Sequence, residues 1–172
     1  MQIITGQFKG RKIKTRSGMR YRPTTGLIRK SVFDIIGPLS GKSFLDLFAG
    51  SGIMGFEALS RGAAPVSLIE RDRKTVYLLR ENADRLGTGE TQIIAADVFR
   101  HFRRLGQWDI IFADPPYGQV DLEALIPQAV SHLTDDGIFV LESSGDDKLP
   151  PGHFREKRVG GTSVTFWEKQ NA

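Results

Sequence analysis

The sequence of 172 residues contains no cysteine. This absence excludes disulfide bonds, thiolate metal sites and a cysteine nucleophile. The three histidines, His101, His132 and His153, are far apart and show no metal-ligand spacing, so we expect no bound metal. No apolar run approaches the roughly 18–20 residues that cross a bilayer, and no apolar signal segment follows Met1. We therefore expect a cytoplasmic protein.

The charged residues are distributed unevenly along the chain. Residues 1–40 contain nine Lys or Arg residues and one acidic residue, a net charge of +8, whereas the other 132 residues carry a net charge of −4. A basic head on a mildly acidic body suggests that the head binds a polyanion. We expect two parts, a basic N-terminal extension over residues 1–40 and one domain over residues 41–172.

Short apolar runs alternate with helical patterns after residue 38. The runs lie at residues 43–48, 65–70, 92–96, 109–113, 138–142 and 163–167, and the helical patterns at 53–61, 73–86, 98–105 and 121–133. This alternation predicts an α/β fold with a doubly wound, mostly parallel, seven-stranded sheet that is covered by helices on both faces. Residues 154–168 contain Gly160-Gly161 between two strand patterns, so we expect an antiparallel hairpin at the C-terminal end of the sheet.

The first 40 residues have a different pattern. Residues 1–25 predict a small hairpin or extended arm, and residues 26–36 predict a helix that Thr24 or Thr25 caps. Pro127 lies within the last helical pattern, where it predicts a kink or a later start of the helix.

A glycine loop follows the first predicted strand, and it spells G-x-G-x-x-G. A dinucleotide would be the usual ligand of this motif. However, Asp46 precedes the loop, where its carboxylate would repel a pyrophosphate and attract the ammonium and sulfonium groups of S-adenosylmethionine (SAM). Glu70 ends the next strand and can accept hydrogen bonds from a ribose, and Asp97 ends the third strand, where it can accept from an adenine amino group or cap the next helix.

The tetrapeptide Asp114-Pro115-Pro116-Tyr117 closes the fourth predicted strand and faces the same crevice as the glycine loop. The Asp114 carboxylate and the Pro115 carbonyl can hold the two N–H groups of an exocyclic amino group, and Tyr117 can stack on the base. A paired base cannot reach such a pocket, so the base must be unstacked or flipped.

These residues resemble the SAM-dependent N-methyltransferases that carry the (Asp/Asn)-Pro-Pro-(Tyr/Phe) motif. The closer resemblance is to the RsmD family of bacterial methyltransferases, which modify a guanine 2-amino group in 16S ribosomal RNA. It rests on the following features, which occur in one order along the chain: the basic arm, Arg22-Pro23-Thr24, a helix with Arg29, residues 48–52, residues 57–63, the Asp114–Tyr117 motif and the Gly160-Gly161-Thr162 hairpin. One departure is Gly26-Leu27, where the family usually has an acidic residue and an arginine.

The resemblance implies a class I SAM-methyltransferase fold that uses SAM, releases S-adenosylhomocysteine and acts on 16S rRNA within the small subunit or a late precursor. For the oligomeric state, a monomer is the default expectation. The catalytic residues expected from it are Asp114, Pro115, Pro116 and Tyr117. The cofactor-binding residues expected are Asp46, Phe48, Ala49, Gly50, Ser51, Gly52, Glu70, Arg71, Asp97 and Val98. The RNA-binding residues expected are Lys9, Arg11, Lys12, Lys14, Arg22, Thr24 and Arg29.

Two other functions remain open from the sequence. The same tetrapeptide serves adenine N-methylation of DNA or RNA, and a methyltransferase fold can persist in a non-catalytic RNA-binding or ribosome-assembly factor. Glu57, on the helix after the glycine loop, is open to three interpretations: support of Asp46 at the cofactor, packing, or exposure to solvent.

Overall fold

The computed structural model describes residues 1–15, 25–89 and 91–169. The five helices in these ranges are α1 (Gly26–Ile36), α2 (Ile53–Ser60), α3 (Arg73–Leu86), α4 (Val98–His101) and α5 (Leu122–Ser131), and a short 3-10 helix (Phe102–Arg104) follows α4. The strands are β1 (Phe44–Asp46), β2 (Val66–Glu70), β3 (Thr91–Ala95), β4 (Trp108–Ala113), β5 (Leu133–Ser144), β6 (Arg155–Val159) and β7 (Thr162–Glu168). No helix in the described ranges is both long and apolar enough to cross a bilayer.

Side chains at the helix starts explain why the helices begin where they do. Thr25, Asp72, Asp97 and Asp121 precede α1, α3, α4 and α5, and each accepts a hydrogen bond from a backbone N–H in the first turn. The predicted cap at Thr25 is therefore confirmed. Helix α5 begins at Leu122 and contains Pro127, so the alternative of a later start was wrong.

The seven strands form one sheet in the order β3-β2-β1-β4-β5-β7-β6. The first five of these are parallel, whereas β7 pairs antiparallel with both β5 and β6. The predicted fold class, with its mostly parallel sheet and antiparallel C-terminal hairpin, is confirmed.

Two apolar layers cover the sheet. One contains buried side chains of α1, α2 and α3, and the other contains buried side chains of α4, the 3-10 helix and α5. Continuous burial of β1 and of most of β2 and β4 accounts for their unbroken apolar sequence patterns.

Strand β5 is longer than the prediction of residues 138–142. It begins at Leu133, which pairs with Trp108 across an irregularity in the β4–β5 register. Gly137 permits this close approach, since a Cβ there would lie 2.9 Å from the Trp108 carbonyl oxygen. The exposed Asp135 and Asp136 interrupt the apolar pattern and hide the start of the strand.

The N-terminal segment (residues 1–15) packs on the helical layer that contains α1, α2 and α3. Ile3 and Ile13 are buried in the same apolar cluster as these helices, and a single antiparallel bridge joins Gln2 to Lys12. The part of the predicted arm at residues 16–24, with Arg22 and Thr24, lies outside the described residues.

Glu57 holds this segment in place. Its side chain is fully buried, and its two carboxylate oxygens accept hydrogen bonds from the backbone N–H groups of Ile4, at 2.7 Å, and Thr5, at 3.0 Å. The Arg61 Nε donates to the same carboxylate at 3.1 Å. Of the interpretations open for Glu57, packing is therefore correct, and Glu57 is not among the residues lining the cavities described below.

Arg29 does not contact solvent as an RNA-binding residue would. It is 6% exposed, and its Nη1 donates to the Gln2 carbonyl oxygen at 3.0 Å. Burial lowers the pKa of its guanidinium, and the charge of Glu57 opposes this shift. The expectation that Arg29 binds RNA is corrected: its side chain fastens the N-terminal segment to α1.

We predict that Gly6→Ala is much more destabilising than Gly10→Ala. The two glycines have nearly equal φ values of 85° and 84°, so the backbone strain of the substitution is the same. A Cβ at Gly6 would lie 1.7 Å from the Ser60 carbonyl oxygen, whereas a Cβ at Gly10 has no heavy atom nearer than 3.7 Å. In denaturant unfolding we expect a loss of ~1 kcal/mol for Gly10→Ala and at least ~3 kcal/mol for Gly6→Ala. Equal losses of unfolding free energy for the two variants would contradict the close packing of the N-terminal segment on α2.

Candidate active site

The site lies where the strand order reverses. Strand β1 has β2 on one side and β4 on the other, so the loops that follow these strands diverge and leave a crevice at their carboxyl ends. A central cavity of about 230 Å³ opens there. Most of the expected cofactor residues line it, namely Asp46, Phe48, Ala49, Gly50, Ser51, Glu70, Arg71, Asp97 and Val98.

Gly52 has a different role from the other loop residues. It precedes α2 with φ 80°, and a Cβ there would lie 2.5 Å from Phe56 Cε2 and 2.6 Å from Leu79 Cδ2. Gly52 is absent from the cavity lining, and its close packing against α2 and α3 accounts for a glycine at this position. Gly50, with φ 50°, does line the cavity, and the nearest atom to a Cβ at that position, the Phe48 carbonyl oxygen, would be 3.9 Å away.

The Glu70 carboxylate joins the loops that follow β1 and β2. One oxygen, Oε2, accepts from the Gly50 N–H at 3.1 Å, and the other, Oε1, accepts from the Asp72 N–H at 2.8 Å. A carboxylate has about four acceptor positions, so two bonds of this kind leave capacity for ligand hydroxyls. Glu70 therefore fixes the shape of the glycine loop besides lining the cavity.

Asp46 is a buried carboxyl in the cavity lining, 1% exposed. Burial raises its pKa from 3.8 to about 7, the charge of Glu70 adds to this shift, and a hydrogen bond from the Phe48 N–H opposes it. A carboxyl with this pKa is poised to ionise when a cation enters the cavity.

Asp97 caps a helix and is also a residue of the cavity lining. Its Oδ1 accepts from the Arg100 N–H at 3.2 Å and caps α4, and its side chain also lines the central cavity beside Val98. The sequence analysis missed other lining residues, among them Met1 and Gln119. Met1 reaches the cavity because the N-terminal segment folds back, which no local pattern indicates.

The tetrapeptide forms part of the wall between the central cavity and a side cavity of about 270 Å³. Asp114 lines the central cavity, Pro115 and Tyr117 line the side cavity, and Pro116 lines both. The residues expected to be catalytic therefore border both cavities.

Tyr117 presents an aromatic ring at this wall. Its side chain is 46% exposed, and its hydroxyl lies 3.4 Å from Thr162 Oγ1. Burial raises the pKa of the phenol, a hydrogen bond with Thr162 opposes the shift, and the nearby carboxylates, Glu142 foremost, add to it. The phenol is therefore neutral at pH 7.

The expected RNA-binding residues of the N-terminal segment differ in their surroundings. Lys9, Arg11 and Lys12 are exposed on the segment. Lys14 is also exposed, but its ammonium forms an ion pair with Glu81.

The residues that the structure describes contain no group of three or more His, Asp or Glu side chains arranged to hold a metal ion.

Comparison with known proteins gives one family. The model of the family described as "Conserved hypothetical protein 95" matches residues 1–168. Ribosomal RNA small subunit methyltransferase D of Escherichia coli K12 is 32% identical over 99% of this chain and 90% of its own length.

Solved structures share the fold of this chain. A structure of a hypothetical protein from Thermus thermophilus has a TM-score of 0.86 and 32% identity, and the match covers 98% of this chain and 99% of that chain. The 16S rRNA N2 G1207 methyltransferase (RsmC) of Thermus thermophilus, solved with AdoMet and guanosine, shares the fold with a TM-score of 0.73 at 24% identity, over 90% of this chain and 45% of that one. The family model and the Escherichia coli relative both match nearly the whole chain, and the chain therefore belongs to the RsmD family.

Proposed function

We propose that this protein transfers a methyl group from SAM to the exocyclic 2-amino group of a guanine in 16S rRNA. The observation that carries the proposal is the position of the Asp114–Tyr117 tetrapeptide between a central cavity with buried Asp46 and a side cavity open to a base. Family membership and the name of the Escherichia coli relative support the choice of rRNA.

The residues of the central cavity fit SAM by their chemistry. Asp46 in its ionised form can neutralise the ammonium of the ligand, Glu70 can accept from its ribose hydroxyls, and Asp97 can accept from its adenine amino group beside the apolar Val98. Bound SAM supplies an electrophilic methyl group on a sulfonium. S-adenosylhomocysteine is then the product, and no metal is needed.

The residues of the tetrapeptide position the base. The Asp114 carboxylate and the Pro115 carbonyl accept the two N–H groups of the guanine 2-amino group, so that the nitrogen lone pair is held toward the central cavity. Tyr117 stacks on the flipped base from the side cavity. The nitrogen becomes more acidic as it is methylated, so the proton leaves late and no strong base is required.

The N-terminal segment provides the phosphate contacts. Lys9, Arg11 and Lys12 are exposed on the segment, which packs on the helical layer of α1, α2 and α3. Contacts between such cations and phosphates are independent of RNA sequence and sensitive to salt. Within this proposal the protein acts as a cytoplasmic monomer on the small subunit or a late precursor of it.

The proposal is tested by methyl transfer from labelled SAM to small ribosomal subunits purified from cells that lack this protein. We expect the label in N2-methylguanosine after nucleoside analysis. Label in methyladenosine would make adenine the target base, and SAM binding without transfer to small subunits would point to free RNA, DNA or another substrate before it pointed to a non-catalytic factor.

In the same assay we predict that Asp114→Ala lowers kcat by about 10²- to 10³-fold, because one of the two acceptors of the amino group is lost. Asp114→Asn keeps a carbonyl acceptor at this position, as in the Asn form of the motif, and should retain activity within about tenfold. SAM affinity, measured by calorimetry, is the control for both variants. An Asn variant as inactive as the Ala variant would indicate that the charge of Asp114, rather than its acceptor, is needed.

We predict that SAM binding weakens as the pH falls below 7. The pKa of Asp46 is raised to about 7, so the carboxyl is protonated at lower pH and must release a proton to face the ligand ammonium. The Kd should then rise by up to about tenfold per pH unit between pH 7 and 5.5. Asp46→Asn should bind SAM weakly and without this pH dependence. Methylthioadenosine, which has no ammonium, should bind with a Kd that does not depend on pH. If the Kd values of SAM and methylthioadenosine change equally with pH, Asp46 does not face the ligand ammonium.

We predict that replacing Arg11 and Lys12 together by Gln lowers the salt dependence of binding to small subunits. The slope of log Kd against log salt concentration should fall by about 1.5, since each phosphate contact contributes about 0.7–0.9. Glu81→Gln, which releases Lys14 from its ion pair, should not lower the slope. If the Arg11 and Lys12 variant keeps the full slope, these side chains do not contact phosphates.

A further inference from the structure

Helix α3 has an exposed face that the proposed function does not use. Arg73, Lys74, Tyr77 and Arg80 are exposed, and their spacing places them on one side of the helix. The opposite side is buried against β2 and β3 through residues that include Leu79. Tyr77 is 73% exposed, which is unusual for a large aromatic side chain.

Helix stability does not explain these residues. Asp72 caps α3, and the first turn then contains no acidic residue. Arg73 and Lys74 occupy this turn, although the helix dipole favours anions there and disfavours cations by roughly 0.3–1 kcal/mol each. Within the ranges that the structure describes, no ion pair offsets the charges of Arg73, Lys74 or Arg80.

The N-terminal segment lies beside the second half of α3, which also carries the acidic Glu81 and Asp84. The Asn82 side chain donates to the Lys14 carbonyl oxygen at 3.0 Å and accepts from the Lys14 N–H at 2.9 Å. Arg11 Nη2 donates to the Arg85 carbonyl oxygen at 3.3 Å. The cations of the N-terminal segment therefore lie beside the second half of α3. The cations in the first half of α3 come shortly after Arg71, which lines the central cavity.

The chemistry of the face fits a nucleic acid strand. Arginine and lysine side chains bind phosphates, and an exposed aromatic ring among them provides a stacking surface for a base. An acidic protein partner would use the same cations and would bury the ring in its interface, so the salt dependence of binding has to separate the two partners.

We propose that the α3 face, formed by Arg73, Lys74, Tyr77 and Arg80, binds the RNA substrate: Tyr77 stacks on an unpaired base and the three cations contact phosphates. The inference rests on the proposed function, since it assigns a second contact surface to the same RNA. It divides substrate binding between two surfaces, the N-terminal segment and α3, on one side of the crevice.

The test compares four variants of the full chain. They are Tyr77→Ala, Tyr77→Phe, the double variant Arg73→Gln with Lys74→Gln, and a control double variant, Arg155→Gln with Lys157→Gln. The control removes the same charge from exposed positions of β6, at the edge of the sheet opposite β3. Binding to small subunits at several salt concentrations, methyl-transfer kinetics and SAM affinity are measured for each, and thermal unfolding confirms that each is folded.

We expect Tyr77→Ala to weaken subunit binding about 5- to 100-fold, as for loss of one stacked base, and Tyr77→Phe to bind as the wild type does. The Arg73 and Lys74 variant should lower the salt slope by about 1.5, and the β6 control should leave it unchanged. KM for subunits should rise for the affected variants while kcat and SAM affinity stay the same.

Different results separate the two proposals. If the wild type methylates guanine in small subunits but the α3 variants behave as the β6 control does, the α3 face is not an RNA surface and the proposed function stands. If Tyr77→Ala weakens binding while the salt slope of the Arg73 and Lys74 variant is unchanged, the face contacts a ribosomal protein and the inference is overturned. Absence of any transfer to RNA by the wild type would refute the proposed function itself.

Discussion

The parallel pairing of β1 with both β2 and β4 is the constraint on which the site depends. The backbone ladder continues past the strand, since the Leu47 N–H donates to the Phe112 carbonyl oxygen and the Ala49 N–H donates to the Ile69 carbonyl oxygen. These bonds carry the chain directly from the sheet into the glycine loop, so the loop has little freedom where it begins. The central cavity is thus lined by loops that are anchored directly to the most buried strands of the molecule.

The N-terminal segment is joined to this frame by polar groups that are buried in the protein. Glu57 accepts two of its backbone N–H groups, and Ser60 accepts a third while donating to the Thr5 carbonyl oxygen. Both side chains belong to α2, whose N-terminus adjoins the glycine loop. The segment that we propose contacts the RNA backbone and the loop that shapes the central cavity are therefore attached to the same short helix.

Much of the fold could be predicted from local patterns, because the parallel strands are buried on both faces and the helices have polar caps. The tetrapeptide and the glycine loop could also be found, since their chemistry is contained in consecutive residues. Arg29 and Glu57 could not, because their partners lie 27 and more than 50 residues away, and burial rather than residue type decides their roles. The net charge of residues 41–172 gives no sign of the basic residues of α3, because acidic residues elsewhere in that range outnumber the basic ones.

The attachment of residues 1–15 to α2 and α3 has a consequence for synthesis of the chain. These residues leave the ribosome before the groups that hold them, from Glu57 to Arg85, which are 52 to 74 positions later in the sequence. Contacts of such long separation form late, because a large loop must close before they contribute. The basic segment is therefore translated early and docked late. Its cations have no fixed position until the helical layer on which the segment packs has folded.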